Sequence, residues 1–303
     1  MHPDRIFKNT TRCFAFGFVV LVLSMAMMLF KQSLPAIAKF GLGFPFTNIW
    51  NPVTDEFGAL AFIYGTLVSS FIALCIAVPF SLGIAIFLSE LAPGFLKKPV
   101  GFLTELLAAI PSVIYGLWGI FYLVPWLRTV LEPLLIKCFG FLPFFQGPPY
   151  GVGMLAAGLI LAIMIIPIIS SISRDVFQAV PISQREAALA LGATHWETIK
   201  ISVLKYGRFG IFGAVFLGLG RALGETMAVT MVIGNRPDIS LSILSPAHTM
   251  ASVIANEYAE ATSSLHLSAL SGIGLTLFVV TLIVNIFARM LVWKVANAPR
   301  EKI

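Results

Sequence analysis

Apolar runs with few or no charges recur along the chain at about the 20 residues that a helix needs to cross a hydrocarbon core of about 30 Å. Six are present, approximately Cys13 to Phe30, Leu60 to Ser89, Leu106 to Leu127, Gly151 to Ser173, Phe209 to Ile233 and Leu267 to Ala288. Each predicts a membrane-spanning helix. The second overshoots the core at about 1.5 Å of rise per residue, so one bent helix is expected, tilted, broken near Pro79 or emerging into water. Between the runs, Phe40 to Gly58, Trp126 to Tyr150 and Asn235 to His266 are rich in proline and aromatic residues. Those segments predict ordered loops, since low-complexity tracts are absent. No internal repeat is visible, and the chain reads as one all-α polytopic membrane domain over residues 1–303.

Composition changes the picture only by excluding alternatives. Of 303 residues, 58% are hydrophobic and 11% charged, with a mean hydropathy of +0.93, which rules out two soluble domains. The net charge of +6 would suggest nucleic acid in a soluble chain, but here the placement of the bases matters more. Fourteen of the 20 lie at the N-terminus, in the second and fourth connections and at the C-terminus, including Lys294, Arg300 and Lys302. Five, Lys31, Lys39, Arg128, Lys137 and Arg236, lie on the other side, and Arg221 falls within a run. That bias predicts both termini in the cytoplasm and no nucleic-acid partner. Pro35-Ala36-Ile37-Ala38 has a small-x-small pattern, but the first run is longer than a secretory h-region, which predicts an uncleaved signal anchor. Cys13, Cys75 and Cys138 have no disulfide or metal-ligand spacing, so neither metal nor cofactor is implied.

Two places carry candidate chemistry. The connection from Arg174 to Arg208 is long and helix-prone, with a turn at Pro181, a helix former from Gln184 to Leu191 and a stop at Gly192. The small pair Ala187 and Ala188 admits a close partner, and an amphipathic helix lying on the bilayer is the other reading. Further on, Arg221 and Glu225 lie inside the fifth apolar run. A charge at the bilayer centre costs at least about 2.5 to 3.5 kcal/mol, so both must face protein or water. Four-residue spacing would put them on one helix face as a neutralising pair. Such a pair either locks helices together or serves an anion path, in which a guanidinium fork matches phosphate oxygens and a carboxylate accepts from a protonated one. Gly220-x-x-x-Gly224 would let a neighbouring helix or a second subunit pack closely.

Glu186-Ala187-Ala188-x-x-x-Gly192 resembles the EAA signature of ABC importer permeases, although Ser202 and Lys205 stand where that signature has Ile and Pro. The run Arg221-Ala-Leu-Gly-Glu225-Thr-Met-Ala-Val229, with Met231-Val-Ile-Gly-Asn235, is similar to the permeases of bacterial phosphate ABC importers. Trp50-Asn-Pro52, Phe57 to Leu60, Phe62 to Leu67 and Ile110 to Trp118 extend the likeness. The resemblance implies a type I ABC importer permease fold in the bacterial inner membrane. It further implies that Glu186, Ala187, Ala188 and Gly192 dock on an ATPase, and that Arg221 and Glu225 serve phosphate passage. Its partners would be a sister permease, an ATPase dimer and an external phosphate-binding protein. No GxxxxGK[ST] loop occurs, so ATP hydrolysis belongs to a partner and the chain is not an enzyme.

Lesser candidates are the hydroxyls of Ser112 and Tyr115 beside Pro111, and those of Thr66, Ser69 and Ser70, all of which can equally bond backbone carbonyls. His195, His248 and His266 lack catalytic partners at recognisable spacing, Glu105 is expected at the interface, and Ile254 to Ala261 could form a short external helix. The open alternatives are a permease for sulfate or molybdate, and a secondary transporter or channel gated by Arg221 and Glu225.

Overall fold

The computed structural model describes residues 3–296, so Arg300 and Lys302 lie outside the described residues. Helix α1, Pro3–Phe40, leads through a 3-10 turn, Gly41–Phe46, into an antiparallel hairpin of β1, Trp50–Asn51, and β2, Glu56–Phe57. Helix α2, Leu60–Ile86, runs through Pro79 without a break and continues in a π turn, Phe87–Leu91. Helix α3 is Gly94–Ala109, and α4 is Ser112–Phe139 with π turns at Gly119–Leu123 and Leu127–Leu131. Helix α5, Met154–Gln178, precedes a short α6, Ile182–Ala190. Helix α7, His195–Leu223, includes a π turn at Ile199–Leu204 and is followed by α8, Met227–Val232. Helices α9, Met250–Glu257, and α10, Ser264–Ala296, complete the described chain. Six of these, α1, α2, α4, α5, α7 and α10, are long and apolar enough to cross a membrane.

Two spans depart from the sequence expectation, each for a local reason. The third apolar run is cut at Ile110, which precedes Pro111 and adopts an extended ψ of 129°, because the proline ring clashes with a helical backbone before it. Leu106 therefore falls in the last turn of α3, while α4 continues to Phe139 through what reads as an external loop. The π turns beside Pro125 and Pro133 shift the hydrogen-bond ladder and accommodate the missing donors. The fifth run begins early, because Thr194 and Glu197 form a capping box that starts α7 at His195. It also stops early, at Gly224, so the connection between α5 and α7 is only 179–194 and not 174–208.

Helix α5 is the centre of the bundle. Ile160, Ile165 and Ile169 are fully buried against Ala73 and Ala77 of α2, Leu127 of α4, Ala214 of α7 and Val232 of α8. Burial of such side chains, about 1.5 to 3 kcal/mol each, fixes the helix positions. A second cluster at the hairpin end joins Ala36, Phe57, Phe62, Met250 and Ile273. There the segment between α8 and α9 is ordered by backbone bonds. Ser245 and Ile243 carbonyls accept from Met154 and Leu155 N–H, satisfying donors that the start of α5 would otherwise leave unpaired. The expected short helix near Ile254 is present, but earlier, because Thr249 and Ser252 cap each other at its start. A third cluster, Ala85, Phe177, Val180 and Val203, lies at the opposite, α6 end.

Candidate functional site

Helix α7 has two faces. On one, Gly207, Gly210, Ala214, Gly218 and Ala222 follow helical spacing and lie against α5. A Cβ at Gly207 would meet Val176 at 3.1 Å and one at Gly218 would meet Ile169 at 2.9 Å. On the other face, Gly213 and Gly220 have no atom within 4 Å of a Cβ position, and Leu217 is 59% exposed. Arg221 is exposed on that open face, in the last turn of α7. Its charge complements the carbonyl end of the helix dipole.

The expected Arg221–Glu225 pair on one helix face is not formed. The helix stops at Leu223, Gly224 leaves it with φ −99° and ψ 2°, and Glu225 sits half-buried in the break before α8. Among the described residues neither side chain makes an ion pair or hydrogen bond with the other. A break inside an apolar run frees backbone polar groups, and such backbone is tolerated at membrane depth only where it lines a wet cavity or is buried in protein.

What holds the break in place is α4. A Cβ at Gly116 would lie 2.5 Å from Met231 Sδ and 3.1 Å from the Ala228 Cα, and one at Gly119 would lie 2.8 Å from Val232. Two small residues one turn apart thus seat α8 on α4. Tyr115, on the neighbouring position, is close enough to Arg221 for the two to interact electrostatically. Its hydroxyl is already committed, donating to the Leu107 carbonyl at 2.8 Å and tying α3 to α4 across the Pro111 break. Ser112, one turn earlier, is half-buried and makes no side-chain hydrogen bond among the described residues.

Thr66 is brought elsewhere. Its hydroxyl donates to Phe62 O at 2.7 Å and accepts from Met250 N–H at 2.9 Å, joining α2 to α9 at the hairpin end. Ser69 bonds the Thr66 carbonyl, and the buried Ser70 hydroxyl has no partner. His266 pairs with Glu257 at 3.0 Å, which also accepts from Trp50 Nε1. His248 is 2% exposed, and burial pushes its imidazole down to about 4. His195 is exposed at the start of α7, and Glu105 accepts from Arg174.

At the α6 end the predicted stop is present. Gly192 has φ +84°, and Ala193 and Gly192 N–H donate to the carbonyls of Ala188 and Leu189, a Schellman closure that only a glycine adopts without strain. Glu186 and Ala187 are exposed, but Ala188 turns inward at 5% exposure, so the small pair does not form one surface. Around them Ile182, Leu189, Leu191 and Trp196 are exposed, Leu191 at 90%. Sequence reading counted Arg185 only as a topogenic base. The structure makes it the most connected side chain of this region. It donates to both carboxylate oxygens of Glu90, at 2.8 and 3.2 Å, and to the carbonyls of Phe177 and Val180.

The bundle has the fold of ABC importer permeases. It matches an inward-facing MetNI methionine ABC transporter with a TM-score of 0.61 at 15% identity, covering 82% of this chain and 99% of that one. It also matches a bacterial ABC transporter involved in the import of the acidic polysaccharide alginate, with a TM-score of 0.58 at 17% identity, covering 97% and 100%. Residues 77–297 match the model of the binding-protein-dependent transport system inner membrane component family, and the chain belongs to that family. It is 50% identical to the phosphate transport system permease protein PstC of Mesorhizobium japonicum over 96% of this chain and 90% of the relative. The identity to PstC of Pasteurella multocida is 50%, over 99% and 94%. A probable PstC of Methanocaldococcus jannaschii is 39% identical over 89% and 88%.

Proposed function

We propose that the chain is the permease subunit that passes phosphate in an ATP-driven importer, with Arg221 as the anion's guanidinium and Glu225 as its nearby carboxylate. The observation that carries this is Arg221, exposed on the open face of α7 beside a broken span, with no ion pair among the described residues. A lipid-facing arginine there is too costly, so that face turns to a second permease or to the passage between the two. The relatives' naming as phosphate permeases at 39–50% identity supplies the substrate. Ser112 is the hydroxyl left available to the anion, since those of Tyr115 and Thr66 are engaged.

The partners follow from the surfaces. The open face of α7, with Gly213 and Gly220, suits a sister permease, and the exposed apolar residues around Glu186, Ala187 and Gly192 suit an ATPase dimer. An external phosphate-binding protein meets the hairpin end. The base distribution supports a multi-pass chain in a bacterial inner membrane with α6 and both termini on the cytoplasmic side. Ala36 N–H of α1 donates to Ser268 Oγ of α10, tying the first span to the last. The chain itself carries out no chemistry, and alternating access follows ATPase closure on α6.

The test is the co-purified complex in nanodiscs, assayed for ATP-dependent phosphate uptake with competing sulfate and molybdate. Arg221→Gln should abolish uptake while leaving the complex assembled. Loss of assembly would assign Arg221 to helix locking, and preference for sulfate would reject phosphate.

A further inference from the structure

Helix α6 is joined to the bundle by two short connections, residues 179–181 to α5 and 191–194 to α7. Covalent links of that kind are hinges. A push on α6 would swing it about them unless something makes the joint rigid, and the structure supplies a joint that sequence reading did not find. The Arg185 guanidinium reaches the third apolar cluster through the carbonyls of Phe177 and Val180, which are 0% and 2% exposed. Its Nη2 and Nε donate to Glu90 Oε1 and Oε2, its Nη1 to Val180 O at 2.6 Å, and Nη2 also to Phe177 O at 2.8 Å. The Arg185 and Glu90 side chains are only 20% and 9% exposed. Glu90 belongs to the π turn that ends α2, a helix 95 positions away in sequence. On the far side of α6, Ser202 Oγ of α7 donates to the Gln184 carbonyl.

We propose that the Arg185–Glu90 fork is a positioning latch that fixes α6 rigidly to the inner ends of α2 and α5, so that force applied to α6 rocks those spans instead of bending the hinges. The proposal rests on the reading of the chain as an ATP-driven permease. The latch needs forked geometry, since a single ammonium cannot meet two carboxylate oxygens and two carbonyls in one plane. It also needs both partners, because removing one strands a largely buried charge.

The test uses the whole complex in nanodiscs, reading ATP hydrolysis, phosphate moved per ATP and thermal stability together. Glu90→Gln is nearly isosteric and is the deciding variant, with Arg185→Lys alongside it. Each single change should lower phosphate moved per ATP by about 10-fold, the worth of a charged hydrogen bond. Hydrolysis should stay within about twofold, and the complex should remain assembled. An unchanged ratio in Glu90→Gln overturns the latch. So does a fall in stability or assembly that accounts for the whole loss. Absence of ATP-driven phosphate uptake by the unmodified complex would instead refute the underlying permease reading.

Discussion

Arg185 and Arg221 carry the same guanidinium in opposite surroundings. Arg185 donates four hydrogen bonds to one carboxylate and two carbonyls, and its side chain is 20% exposed. Arg221 is exposed, with no ion pair or hydrogen bond among the described residues, on a face where the glycines have no neighbours. A fork with four of its five N–H donors engaged has little left for a ligand and holds parts together. An open fork inside an apolar run, in no ion pair among the described residues, has donors to spare. On the readings proposed above, the two arginines divide the work, one passing on motion and the other meeting the anion.

Arg221→Lys should break the comparison most severely. It keeps the charge and loses the fork, and uptake should fall about 10- to 100-fold with the complex intact, as measured by phosphate flux in nanodiscs. Uptake close to unmodified would mean that Arg221 supplies only a diffuse field.

Gly116→Leu attacks the seat of the break, since a Cβ alone would come within 2.5 Å of Met231 Sδ and 3.1 Å of the Ala228 backbone. Overpacking of this kind costs about 1 to 3 kcal/mol, which a thermal-unfolding shift of the purified subunit would register. Equal stability would mean that α8 is not seated on α4.

The pH response sharpens the contrast at a third polar group, one that stays buried by being neutral. The folded His248 imidazole titrates at about 4 against an ordinary 6.5. Between those values the unfolded chain binds a proton that the folded chain refuses. Stability is therefore full above about pH 6.5 and declines as pH falls toward 4, with about 2 kcal/mol lost by pH 5. Thermal unfolding at pH 5 and 7 measures this, and His248→Gln should flatten the dependence.

The smallest effect on the subunit belongs to Gly220→Ala, where a Cβ meets nothing within 4 Å. The isolated chain should change by less than about 1 kcal/mol, helix propensity favouring alanine. Pairing with the second permease should weaken, as read by co-purification. Unaltered pairing would place the partner interface elsewhere.

Hydropathy was enough to find all six spans, because the cost of stranding apolar surface in water or backbone in lipid acts on any sequence of that length. Their ends were harder to read. Pro111 marks a break by a local rule, yet apolarity alone carries the expected third span across it from Leu106. The capping box at Thr194 and Glu197 was likewise visible in the residues and went unused. The Gly192 stop was legible because one residue in left-handed backbone decides it. At the site, Arg221 stood out as an intramembrane charge, whereas the four-residue spacing to Glu225 suggested a pair that a helix break at Gly224 undoes.

By itself, then, the sequence determined that this chain crosses a membrane six times, where its unusual charges sit along those spans, and that a short helix protrudes between the fourth and fifth. Those properties depend on composition and near neighbours. Tertiary structure alone decided that Glu90 and Arg185 meet, that α8 rests on two glycines of α4, and that one face of α7 is closed while the other is open. Each of these depends on contacts between residues far apart in the chain, which no local pattern encodes, and on which face of a helix the rest of the bundle happens to cover.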